Sequence, residues 1–252
     1  MGLKQRLQNG EKLLGCMIGL FDSPDMAVIL KEAGYDYFFI DSEHGYIDYS
    51  KMAAMVTAAK SADMPVIIRI PQPDREVVLK YMEMGATGLL MPNTETVEQA
   101  KKLVEYSKYA PLGNRGVALL KAHASYRSVK AEDYMKSSNE ETILLVQIES
   151  PEGVKNLDEI LDVDGIDGAF VGPNDLSQSM GIMGQYNRPE FQEALEYIIK
   201  TAEKHKKYSG IHMGNPKDVK KWADRGMSLN LCSSDVALLM ETARNHIHTY
   251  KE

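Results

Sequence analysis

Cysteine is scarce in this chain: Cys16 and Cys232 are the only two in 252 residues. Both sit in apolar runs, so they read as buried free thiols, not as a disulfide or a soft-metal site. Positive charge is not in excess. The formal net charge of -7 argues against nucleic acid or an anionic membrane as the main partner. No apolar run is long enough to span a bilayer. Residues Met1 to Lys12 are polar and hold no signal-peptide core, so a cytoplasmic protein is expected. No G-x-G-x-x-G follows the first apolar run, which removes the commonest reason to expect an open doubly wound sheet. Linkers and low-complexity segments are missing too. The length is typical of a one-domain α/β barrel, so residues 1–252 are expected to form one domain.

What is present is an alternation. Short apolar runs occur at Leu13–Leu20, Tyr37–Asp41, Val66–Ile70, Gly88–Met91, Ile143–Ile148, Gly168–Val171, Ser209–His212 and Ser228–Cys232. Their near-continuous apolar character suits parallel strands covered on both faces. Between them lie helix signals. Ser23-Pro24, Ser150-Pro151 and Asn215-Pro216 each place a capping residue before a first-turn proline. Apolar stripes of helical period run through Val97, Ala100, Leu103 and Val104, through Val154, Leu157, Ile160 and Leu161, and through Phe191, Leu195, Ile198, Ile199 and Ala202. Gly34 and Gly85 stand where helix ends need a left-handed residue. Eight such units predict a TIM (β/α)8 barrel. Two stretches exceed simple connections, 111–141 and 174–188, and long loops in compact domains are often functional.

Active sites of such barrels lie at the C-terminal ends of the strands. The second run ends in Asp41-Ser42-Glu43-His44, with Asp41 and Glu43 on one face. Taken alone, this reads first as a polar loop with a helix cap; its place at a strand end shifts it toward a site. Arg69 closes the third run and is expensive there unless paired. It reads either as half of a buried ion pair or as a bidentate clamp for a carboxylate. The fifth run ends in Gln147-Ile148-Glu149, the sixth in Gly172-Pro173-Asn174-Asp175. Carboxylates on neighbouring strands repel unless one takes a proton or a cation lies between them. Without nearby thiols or paired imidazoles, oxygen donors favour a hard ion such as Mg2+ or Mn2+. Asp175 has a plainer alternative as N-cap of a short helix over 176–180. His212 rivals His44 for the mouth, and His123 lies in a loop long enough to reach it.

Assembled, these segments resemble the HpcH/HpaI family of class II pyruvate aldolases. The resemblance rests on Ala33 to His44, Val66 to Arg69, Asn114-Arg115-Gly116-Val117, Val146 to Glu149, and Val171 to Ser177, and spans most of the chain. It implies a TIM-type barrel in a hexamer, a trimer of dimers, with the last helix exchanged between subunits. It implies metal-dependent, reversible cleavage of a 4-hydroxy-2-oxo acid to pyruvate and an aldehyde. Glu149 and Asp175 are then the metal ligands, for Mg2+, Mn2+ or Co2+. Arg69 stabilises charge on the keto oxygen, and the backbone at Gly172, Pro173, Asn174 and Asp175 holds the substrate carboxylate. His44, oriented by Asp41, is the acid–base residue, with Gln147 and Glu43 in support. Glu83 matches the position of an acid that a neighbouring subunit contributes. Asn174 and Glu83 stand where the family more often has alanine and aspartate. Two other readings are a lyase acting on a citryl- or malyl-type CoA thioester, and a non-catalytic barrel that binds a metal and an oxo acid.

Overall fold

A computed structural model describes residues 1–252. The predicted barrel is there. Its strands are β1 (Leu13–Ile18), β2 (Tyr37–Asp41), β3 (Val66–Arg69), β4 (Gly88–Met91), β5 (Ile143–Ile148), β6 (Gly168–Val171), β7 (Tyr208–Met213) and β8 (Leu229–Ser234). Each is parallel to its neighbours, and β8 returns to β1 to close the ring. Closure leaves no sheet edge exposed. The strand boundaries match the apolar runs within two residues, because an apolar run is what a strand buried on both faces requires.

Strand alternation sorts the side chains into two cores. Phe38, Ile40, Ile68, Val146 and Ala169 point outward, into the layer between strands and helices. Tyr37, Phe39, Ile67, Leu145 and Phe170 point inward and fill the barrel. Two residues farther along each strand, on the inward parity, come Asp41, Arg69, Gln147 and Gly172. The same alternation that packs the barrel therefore aims this polar layer into its C-terminal mouth.

Helix starts follow the capping signals in two of three places. The Ser150 hydroxyl accepts from Gly153 N–H at 3.1 Å ahead of Pro151, and Asn215 accepts from Lys217 N–H at 2.8 Å ahead of Pro216. The Ser23-Pro24 signal does not start a helix directly. Ser23 instead accepts from Asp25 N–H at 3.2 Å, and the helix begins at Met26. The stretch 111–141 is not one loop, since Ala131–Glu141 is helical and Ala122–Ala124 forms a single 3-10 turn. Gly85, at φ 97°, ends the helix Arg75–Met84 in the left-handed conformation.

Of two terminal features, the first was not read from the sequence, and the second, a last helix over Ala237–His248, was expected from the resemblance. Residues Leu3–Gln8 form a helix whose Leu3 and Leu7, one turn apart, join the inner core. The N-terminus thus plugs the end of the barrel opposite the mouth. At the other end, Asp235–Lys251 is a 17-residue helix with a single buried residue, Asp235. Leu239, Met240, Ile247 and Tyr250 on it are exposed.

Candidate active site

Asp41 and Arg69 end neighbouring strands in register. The guanidinium donates from Nε to Asp41 Oδ1 at 3.0 Å and from Nη2 to Oδ2 at 2.6 Å. Both residues are buried, at 6% and 8% exposure. Arg69 is therefore half of a buried ion pair, as one of its two sequence readings held. Its Nη1 remains, 3.2 Å from Glu43 Oε2. Burial favours the protonated Asp41 carboxyl, but the Arg69 hydrogen bonds and charge outweigh it and hold the carboxyl below its ordinary value. Asp41 Oδ1 also accepts from the backbone N–H groups of Glu43 and His44, at 3.0 and 3.2 Å.

That last contact changes the expected role of Asp41. Its hydrogen bonds to His44 reach the backbone and not the imidazole, because both carboxylate oxygens are taken by Arg69 and by the turn. Asp41 fixes the loop that carries His44. The His44 side chain lines the mouth and is exposed.

Gln147 and Glu149 follow on β5 and its end. Both are 3% exposed. Glu149 Oε2 accepts from Asn93 N–H at 2.9 Å, and Oε1 accepts from Gln147 Nε2. Burial, reinforced by the charges of Asp175 and Glu43, pushes the Glu149 carboxyl up to about 7 against the pull of the Asn93 N–H and of Arg69. Glu43 is raised for the same first reason, burial, with Arg69 and His44 opposing and Asp41 and Asp175 assisting. Gln147 Oε1 and Glu43 Oε2 have no hydrogen-bond partner in the chain.

Gly172 is needed where it stands. A Cβ there would collide with Glu149 Oε1 and come within 2.7 Å of Gln147 Nε2. The helix Pro173–Ser179 begins immediately after it, one residue into the mouth. Asp175 is the third residue of this helix and is exposed, so it is not the N-cap of a helix over 176–180. The cap position is Gly172.

The donor set fits a hard divalent ion of open coordination. No group of three or more His, Cys, Asp or Glu side chains gathers where it could hold a metal, so Glu149 and Asp175 would supply only part of a coordination shell. Glu149 is a buried carboxylate whose proton affinity is raised partly by Asp175. A cation between the two relieves both penalties, and its remaining positions fall to water or ligand.

The mouth encloses about 640 Å3, within the range of small-molecule sites. Two of its residues, and one behind Glu149, carry no sequence signal. Tyr186 reaches back to donate to Asn174 Oδ1. Asp235 Oδ2 accepts from the N–H groups of Gly19, Leu20 and Phe21 at 2.8–3.2 Å and so pins the loop after β1. Asn93, at φ 47°, turns its N–H onto Glu149. All three act across long sequence separations, which local patterns do not record. His212 lines the mouth as foreseen, and its Nε2 lies 2.9 Å from the carbonyl of Ser233. That bond assigns the proton to Nε2. Burial lowers the imidazole below its ordinary value, so His212 serves as a neutral, hydrogen-bonded wall.

His123 does not reach the mouth of its own chain. Its Nδ1 meets the Tyr134 hydroxyl at 2.5 Å and its Nε2 the Ala118 carbonyl at 3.0 Å. It lines a separate cavity beside Met64, Pro65 and Val66, at the start of β3. Glu83, in the last turn of Arg75–Met84, is likewise absent from that mouth.

Comparison with known proteins gives one family. The HpcH/HpaI aldolase/citrate lyase family model matches residues 18–242. A hydroxypyruvate/pyruvate aldolase of Roseobacter denitrificans is 35% identical over 249 residues, covering 99% of this chain and 96% of that protein. A 5-keto-4-deoxy-D-glucarate aldolase of an Enterobacter species is 32% identical, with the same two coverages. Among solved structures, an HpcH/HpaI aldolase from Desulfitobacterium hafniense superposes with a TM-score of 0.96 at 33% identity, covering 100% of this chain and 97% of that one.

Proposed function

The chain belongs to the HpcH/HpaI aldolase/citrate lyase family, and on that premise we propose a division of labour in its mouth for the reversible cleavage of a 4-hydroxy-2-oxo acid to pyruvate and an aldehyde. The chain is a class II aldolase, a carbon–carbon lyase, and such aldolases depend on a divalent metal. Glu149 and Asp175 are the residues to hold it. Mg2+, Mn2+ and Co2+ are the candidates by donor chemistry. When bound, the ion supplies Lewis-acid polarisation of the 2-oxo group.

The chain's own residues carry the rest. Arg69 Nη1 is the edge of the guanidinium not taken by Asp41, and it faces the oxygen on which negative charge develops. The backbone from Gly172 to Asp175, with no Cβ at its first residue, lies against the substrate carboxylate. Gln147 holds Glu149 in place. The exposed imidazole of His44 takes the proton of the C4 hydroxyl. The C4 oxygen then closes to the aldehyde carbonyl, the C3–C4 bond breaks, and its electron pair passes onto the 2-oxo group as an enolate. Proton return to C3 gives pyruvate.

The observation that carries this reading is the Glu149–Asp175 pair: a buried carboxylate and an exposed one, electrostatically coupled beside the only arginine or lysine in the mouth. The same single cation, paired to Asp41, speaks against a CoA thioester, whose nucleotide phosphates call for a basic rim. A non-catalytic binder has no use for His44. The test is a panel of 4-hydroxy-2-oxo acids with pyruvate release as readout. Release is expected with Mg2+ or Mn2+ and is lost on chelation. Release that survives exhaustive chelation contradicts the assignment.

The assembly is part of the same reading. A 17-residue helix with exposed Leu239, Met240, Ile247 and Tyr250 is an apolar surface in want of a cover. A second copy of the chain, exchanging this helix, is the occupant, and a trimer of such dimers the expected whole. Glu83 and its surroundings are the part offered to the neighbouring copy's mouth.

A further inference from the structure

His212 lines the mouth, yet the division of labour above leaves it without a task. It is the last inward residue of β7: Ile211 before it joins the outer core, and Leu231 of the inner core stands beside it on β8. The register of β6 and β7 runs from Gly168 beside Tyr208 to Val171 beside Ile211. One step farther it brings Gly172 next to His212. The imidazole therefore joins the polar layer of Asp41, Arg69, Gln147 and Gly172.

One ring nitrogen is committed. Nε2 donates to the Ser233 carbonyl at 2.9 Å. Unusual backbone presents that carbonyl. Ser233 is buried and adopts φ 64°, which a non-glycine residue takes at a cost. Beside it β8 carries one residue more than β1, since Gly15 pairs with Leu231 but Met17 with Ser234. Bulges of this kind re-aim groups next to active sites. The other nitrogen is free. Nδ1 has no partner in the chain and is not one of the sealed polar atoms that lack one, so it opens onto the mouth. With the proton on Nε2, Nδ1 presents a lone pair and only accepts. Burial lowers the proton affinity of the ring, and the Arg69 charge adds to this against the Ser233 carbonyl and Asp41.

We propose that this lone pair selects the 2-oxo acid: His212 Nδ1 accepts the hydrogen bond of a hydroxyl on C3, the carbon next to the 2-oxo group. The inference rests on the aldolase reading above. There the substrate carboxylate lies along Gly172 to Asp175, and the 2-oxo group faces Arg69. The third substituent of C2 is C3, and it is left the wall formed by Met17, Phe170 and His212. Met17 and Phe170 offer apolar surface, so Nδ1 is the hydrogen-bonding atom of that wall. A C3 hydroxyl satisfies it. A bare methyl leaves it unpaired, and an unpaired acceptor is what lets a site reject the analogue that lacks the hydroxyl. The preferred donor is therefore a 3-hydroxy-2-oxo acid, with pyruvate a poorer one. The preferred substrate for cleavage carries hydroxyls on both C3 and C4.

The test compares 3-hydroxypyruvate with pyruvate as donor to one aldehyde, at saturating Mg2+, in wild type, His212→Leu and His212→Asn. The readout is the ratio of kcat/KM for the two donors, hydroxypyruvate over pyruvate. Loss of the acceptor should lower that ratio about tenfold in His212→Leu. His212→Asn, which keeps an amide oxygen near the place of Nδ1, should recover part of it. A residue that only supports the fold would lower both donors alike, and an unchanged ratio overturns the proposal. The two levels of the account fail differently. Wild type that turns over neither donor contradicts the aldolase reading and this inference with it. Turnover of both donors with a ratio indifferent to His212 removes the role of His212 alone. Should neither variant fold, wild type decides by calorimetry in the presence of metal. It should bind hydroxypyruvate about tenfold more tightly than 3-fluoropyruvate, whose fluorine donates no hydrogen bond. Equal affinities overturn the proposal.

Discussion

Arg69 keeps its charge in the barrel because Asp41 takes two of its donors. Removing one partner of such a pair strands the other. Asp41→Asn should therefore cost about 3–5 kcal/mol in urea unfolding, far more than the loss of an exposed pair. The pH dependence follows from the sign of the shift. The folded Asp41 carboxyl lies below its ordinary value of 3.8, so its contribution is fully present above that value and is lost as pH falls through the folded one. Wild type should lose stability more steeply than Asp41→Asn in acid below about pH 4; parallel acid limbs would mean that the pair is not coupled to folding. Gly172→Ala is the complementary test. Its added methyl meets Glu149 and Gln147, so turnover should fall about 100-fold through misplacement of the site while the far-ultraviolet circular dichroism stays that of the wild type. These residues were legible in the sequence because each stands at the end of an apolar strand. Their pairing was only partly so: strand-end position shows that Asp41 and Arg69 face one mouth, not that Asp41 spends both oxygens on Arg69 and the turn and leaves the His44 ring alone.

The elements divide in the same way. Strands could be read almost residue by residue, since burial on both faces leaves a contiguous apolar run. Ser150-Pro151 and Asn215-Pro216 mark helix starts because the caps are local. Ser23-Pro24 looks identical but closes a turn, and nothing within a few residues separates the two cases. The helix Leu3–Gln8 escaped because only two of its residues, Leu3 and Leu7, face the core, and their partners are strands far along the chain. It should nonetheless matter. Leu7→Ala is expected to cost about 2–4 kcal/mol, the range for a buried leucine, in a urea titration. Because the plug lies opposite the mouth, kcat at saturating substrate and metal should not change. A lowered kcat with unaltered stability would mean that the plug communicates with the site.

For the whole molecule, the family and the barrel were in reach of the sequence, and the assembly was expected from the resemblance alone, with the exposed apolar side chains of the last helix added by the fold. The terminal helix leaves its body at Asp235 and keeps its apolar side chains in solvent, which is the basis of the proposed assembly. Full-length protein should scatter light as a multiple of 28.2 kDa, and deletion of residues 238–252 should reduce it to the mass of one chain; an unchanged mass would show that the helix is not the clamp. The central proposal is that Glu149 and Asp175 would hold an ion that lets pyruvate ionise at C3. The most direct measurement is exchange of the pyruvate methyl protons with deuterium, followed by proton nuclear magnetic resonance. Exchange should require Mg2+ or Mn2+, vanish on chelation, and be absent in Glu149→Gln at every metal concentration tried. Undiminished exchange in chelated wild type or in Glu149→Gln would contradict the account.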